Sequence, residues 1–141
     1  MKLFIDTWGW LALGDRRDPS HQRVKKFLRA FDRRGGIAYT TDYVLDETIT
    51  RLFRVVPFLI AKGYIEGTIW AALATGHLRL ERITPERFEK AWDFRKRYHD
   101  RPDISFTDLT SFVIMEELRI REALTADAHF EHAGLGFKKV P

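Results

Sequence analysis

The 141 residues include no cysteine, which removes disulfides, thiolate nucleophiles and zinc–thiolate centres together and suits a reducing compartment. No apolar run approaches the about 20 residues that cross a bilayer, the longest being VVPFLIA at 55–61, so no membrane span is expected. The opening MKLFIDTWGW places Asp6 inside what would be the apolar part of an export leader, and no small-residue cleavage site follows. The expectation is a cytoplasmic protein. Internal repeats, Pro- or Ser-rich linkers and low-complexity tracts are missing too, and the length fits one domain, residues 1–141.

What is present can build a core. Apolar residues make up 45% of the chain and include 11 Phe and 4 Trp, enough to offset the entropy of ordering. Lys and Arg number 24 against 20 Asp and Glu, a net charge of +4 that favours a polyanionic partner only weakly. Sequestering four acids in one site would leave 24 bases facing 16 acids, an excess of 8, and that resembles a nucleic-acid face.

Hydrophobic periodicity alternates along the chain. KLFIDT reads as a buried strand carrying Asp6 at its carboxyl end, and residues 18–36 as a helix that Asp18 caps and Gly35-Gly36 stops. IAYTT at 37–41 is a second strand, and DYVLDETITRLFRVV a helix with Leu45, Ile49 and Leu52 on its apolar stripe and Glu47 turned away from it. Residues 57–76 read as further helix weakened by Gly63 and Gly67, and 77–83 as a strand. A helix starting at Thr84-Pro85 directs Phe88, Ala91 and Trp92 inward; one follows from 107 to 122, then strands at ALTAD and FKKV. Strands alternating with helices imply an α/β fold, a three-layer α/β/α domain with a mostly parallel central sheet.

In such sheets, ligands bind beyond the carboxyl ends of the strands. Asp6 and Asp127 fall at strand ends, and Asp108 and Glu47 in the first turns of helices, so all four can converge on one edge. Converging carboxylates repel one another unless a divalent cation holds them ionised, and all-oxygen ligands suit Mg²⁺ or Mn²⁺. His129 and His132 lack a second matched pair and read as surface or loop residues. Thr7, Ser105 and Thr107 can support the carboxylates by hydrogen bonds or act as plain helix caps. A water-bearing acidic metal site on a basic domain suits phosphodiester hydrolysis with one ion or two.

Four stretches carry a family resemblance: LFIDTWGW, TTDYVLDETITRL, DISFTDLTSFVIM and LTADAHFEHAGL. In this order and spacing they resemble the PIN-domain ribonucleases, in particular the VapC-like toxins of toxin–antitoxin pairs. The resemblance implies a PIN-like fold and Mg²⁺- or Mn²⁺-dependent endoribonuclease activity, with Asp6, Glu47, Asp108 and Asp127 as catalytic and metal-binding acids. It also implies RNA as substrate, a homodimer and a cognate antitoxin. Asp46 competes with Glu47 as ligand, and Asp103 is either an outer acid or polar loop. Arg16, Arg17, Arg51, Arg54, Arg95, Lys96 and Arg97 are candidates to guide RNA, and Trp8 and Trp10 either stack on bases or join the core. Two rival readings stay open: a catalytically silent PIN-like module that binds RNA or protein, and a phosphotransfer domain with Asp6 as nucleophile.

Overall fold

Leu3, Phe4 and Ile5 of the first strand, β1 (Lys2–Ile5), are all buried, so both faces of the strand are covered. A strand buried on both sides belongs in the middle of a parallel sheet. A computed structural model describing all 141 residues places it there, with β2 (Ile37–Thr41) on one side and β4 (Glu122–Leu124) on the other. β3 (Leu78–Glu81) and β5 (Lys138–Val140) complete the order β3-β2-β1-β4-β5, and every pairing is parallel. Phe4 stands in register with Tyr39 on one neighbour and Ala123 on the other.

The crossover from β1 to β2 carries α1 (Thr7–Gly14) and α2 (His21–Arg33). That from β2 to β3 carries α3 (Asp42–Val55), α4 (Phe58–Tyr64), a π-helical segment (Ile65–Trp70) and α5 (Ala71–Thr75). From β3 the chain runs back across the sheet through α6 (Pro85–Arg97) and α7 (Phe106–Glu117) to β4, and then through α8 (His129–His132) to β5. Right-handed crossovers put these two groups of helices on opposite faces, giving three layers. The direction of winding reverses between β1 and β4, so the crevice at their carboxyl ends is the topological switch point.

Four local expectations change, the first being that the helix expected to run to 122 ends at Glu117 and β4 begins at Glu122. TWGWLALG forms α1, which periodicity does not reveal because the segment is apolar all round and has glycine at both Gly9 and Gly14. Gly9 is needed for close approach: a Cβ there would lie 2.9 Å from the Leu124 carbonyl oxygen. α2 begins at His21, since Asp18 accepts the Ser20 N–H at 2.8 Å and forms a turn of its own. On α6 only Ala91 is buried, and Phe88 and Trp92 face outward at 46% and 53% exposure. Phe88 instead lies against Phe106, with ring centroids 4.9 Å apart.

Candidate active site

β1 ends one residue before Asp6, which leaves the sheet in extended conformation as the residue before α1. Its side chain is 6% exposed and makes no capping bond to the helix. The Thr125 hydroxyl, just past β4, donates to Asp6 Oδ2 at 2.9 Å and accepts the Asp127 N–H at 3.0 Å. One hydroxyl therefore fixes acids from two neighbouring strands.

Asp108 is positioned by a capping box at the start of α7. Its backbone N–H donates to Ser105 Oγ at 3.0 Å, while the Ser105 N–H reaches back to Asp108 Oδ2 at 3.4 Å. Ser105 thus meets the carboxylate through its backbone, with its hydroxyl turned to the helix. The Thr107 side chain makes no hydrogen bond to an acid; its carbonyl accepts from Thr110 and Ser111. On α3, Glu47 accepts from the Thr7 hydroxyl at 3.1 Å and has Arg51 3.5 Å away, whereas Asp46 is exposed.

Burial pushes Asp6 up to about 6, opposed by its hydrogen bonds to Thr7 and Thr125 and reinforced by the charges of Glu47 and Asp127. Burial also pushes Asp108 up to about 7, helped by the charges of Asp6 and Asp127. The four acids therefore share one region of unbalanced negative charge, and a divalent cation is its natural complement. Ligand atoms of Asp108, Asp127 and His129 lie within 4.8 Å of one another, a spacing that a single ion can bridge. Asp108, Asp127 and His129 fit a metal, whereas Asp6 and Glu47, also expected as ligands, fall outside this closest set.

His129 does not read as the loop or surface residue expected. Its ring lies among the acids, with Nε2 2.6 Å from Asp103 Oδ2 and Nδ1 3.0 Å from Asp127 Oδ1 and 3.7 Å from Asp108 Oδ2. Asp103 also pairs with Arg101, which holds its carboxyl below the ordinary carboxylate range. Thr125 escaped sequence reasoning, and His129 was read as a surface or loop residue, although each is two residues from Asp127. In extended chain that spacing puts side chains on one side, a signal available for Thr125 at the strand end.

The basic candidates divide. Arg95 donates to the carbonyls of Tyr98, Arg101 and Ile104 and so secures the loop that leads to Ser105 and Asp108. Lys96 pairs with Asp93, and Arg17 with Asp15. Trp10 is core, 3% exposed, its indole N–H donating to Thr40 Oγ1 at 3.1 Å, while Trp8 is half-buried.

Comparison with known proteins agrees with this architecture. The family model described as "PIN domain" matches residues 3–135. A curated relative, the 23S rRNA-specific endonuclease VapC20 of Mycobacterium tuberculosis, is 33% identical over 133 residues, covering 94% of each chain. A VapC ribonuclease of Archaeoglobus fulgidus is 27% identical over 139 residues, 96% of this chain and 83% of that one. The crystal structure of M. tuberculosis VapC20, described as a sarcin–ricin loop cleaving toxin, superposes with a TM-score of 0.80 at 32% identity over 98% of both chains. Matched by the family across nearly its whole length and by these relatives almost end to end, the chain belongs to the PIN-domain ribonucleases and is VapC-like.

Proposed function

We propose that residues 1–141 act as a single PIN-like unit, a Mg²⁺- or Mn²⁺-dependent endoribonuclease that hydrolyses RNA phosphodiester bonds through Asp6, Glu47, Asp108 and Asp127. The observation that carries this reading is the meeting of acids from four elements at the switch point, two of them buried and held above the ordinary carboxylate range. One or two divalent ions bound there would supply Lewis acidity and lower the pKa of a water.

The chain's own residues do the rest. Asp6, Asp108 and Asp127 are the ion's holders, Glu47 is the fourth acid of the set, and Thr125 and Thr7 keep Asp6 and Glu47 aimed. Outside this site the chain carries 24 bases against 16 remaining acids, which draws RNA to the protein by displacing its counterions.

The biological role that fits is the toxin of a type II toxin–antitoxin pair, acting in the cytoplasm and inhibited by a cognate antitoxin. Phe58, Leu59 and Ile60 at the start of α4 are 61%, 76% and 55% exposed and support a homodimer through this region. The sarcin–ricin loop of 23S rRNA, after which the mycobacterial relative is named, is the first substrate to try.

The test is cleavage of that loop, tRNA and unstructured RNA with Mg²⁺, Mn²⁺ or EDTA, beside Asp6→Ala and Asp108→Asn. Metal-dependent cutting lost in both variants is the expected result. Folded wild-type protein that binds RNA without cutting any of them, with either ion, would instead make this a silent binding module.

A further inference from the structure

The imidazole of His129 is oriented by the chain in a way that the four-acid reading leaves without a purpose. Its Nε2 lies 2.6 Å from Asp103 Oδ2, a carboxylate that also pairs with Arg101. With Nε2 engaged by that acceptor, Nδ1 is the ring atom free to offer a lone pair to the site. That atom is buried and has no hydrogen-bond partner. It points at carboxylates, 3.0 Å from Asp127 Oδ1 and 3.7 Å from Asp108 Oδ2, and the shorter contact is not aligned as a hydrogen bond.

A lone pair facing two anions is repulsive unless something positive lies between them. In an octahedral centre with metal–ligand bonds of about 2.1 Å, adjacent ligand atoms sit about 3.0 Å apart, which matches the Nδ1 to Asp127 separation. A carboxylate on the far nitrogen is also the usual way in which a metal-binding imidazole is oriented and made more basic.

We infer that His129 Nδ1 is a direct ligand of the divalent ion beside Asp108 and Asp127, with Asp103 as its positioning residue. The inference rests on the metal-dependent reading above. It makes the centre a mixed nitrogen–oxygen site. Mg²⁺ takes oxygen donors and gains little from imidazole, whereas first-row transition ions gain from it, so the site discriminates in favour of Mn²⁺ over Mg²⁺.

The experiment is calorimetric titration of the full chain with Mn²⁺ and with Mg²⁺, for wild type, His129→Ala, His129→Gln and Asp103→Asn. It is joined by nitrogen-15 spectra of the histidine rings on adding Zn²⁺, a diamagnetic probe. The expected result is an about 10–100-fold loss of Mn²⁺ affinity in both His129 variants and about tenfold in Asp103→Asn, with Mg²⁺ changed by less than about threefold. The Nδ1 resonance of His129 moves to a metal-bound position, as that of no other of the five histidines does.

An imidazolium that merely neutralised the acids would give the opposite sign, because removing it would tighten both ions. Tightening, equal losses for the two ions, or an unmoved Nδ1 would overturn the inference. The spectra of wild type decide the matter even if the variants do not fold. RNA cutting by wild type in the same buffers separates this outcome from failure of the nuclease reading, which alone predicts that no RNA is cut.

Discussion

Replacing Asp108 by asparagine should stabilise the metal-free protein while abolishing its chemistry. The folded chain holds this carboxyl at about 7 against an ordinary 3.8, because burial and the charges of Asp6 and Asp127 disfavour ionisation. As pH rises between these values, the folded state must surrender a proton that the unfolded state has already lost, so stability falls through that window. Above pH about 7 the full effect would approach 4 kcal/mol; relaxation of the site and its remaining exposure to water reduce the expected gain to about 1–3 kcal/mol. Asparagine keeps an acceptor for the Ser105 N–H, so the capping box survives. In EDTA at about pH 8 the variant should melt about 4–10 °C above wild type, and the gap should shrink at about pH 5. With an ion present at about 100 times its Kd, wild type gains about 2.7 kcal/mol and the order closes or reverses. A variant that melts below wild type in EDTA at the higher pH, with wild-type stability indifferent to pH, would refute the account of buried, mutually repelling acids.

Other perturbations follow from the same geometry. Thr125→Val removes the hydroxyl shared by Asp6 and the Asp127 N–H; RNA cleavage should fall about 10–100-fold, with stability lowered by about 1–2 kcal/mol in urea titration. Gly9→Ala forces a Cβ to within 2.9 Å of the Leu124 carbonyl; a loss of about 1–3 kcal/mol and reduced cleavage should appear together, as α1 and Asp6 shift from β4. Leu59→Glu places a charge in the exposed apolar start of α4; light scattering should show wild-type dimer and variant monomer, and a monomeric wild type would remove that interface.

The strands were legible because their apolar runs end in polar residues; Asp6 falls directly after β1 as expected, but β4 ends at Leu124 and leaves Asp127 three residues past the strand end where it was expected. Asp108 was found as a helix-start acid, yet its capping box with Ser105 makes it structural as well as chemical, two roles that one sequence position cannot separate. α1 was hidden because an apolar sequence all round the helix erases the 3.6-residue signal. Phe88 and Trp92 were assigned inward by periodicity, but on α6 only Ala91 is buried, while Phe94 meets Phe112 and Phe88 meets Phe106 of α7 from a largely exposed position. His129 was missed because its meaning depends on Asp103, 26 residues earlier, and no local pattern announces that contact.

The pairing of β1 with β4 joins residues that lie 119 positions apart along the chain, as Leu3 and Glu122 do. Contacts of that span close late in folding, because a long loop must be ordered before they form. Asp6 and Asp127 meet only through this pairing and the Thr125 bridge beside it. Partly folded chains therefore hold these acids apart, and the four-acid site proposed above assembles only once β4 has joined β1.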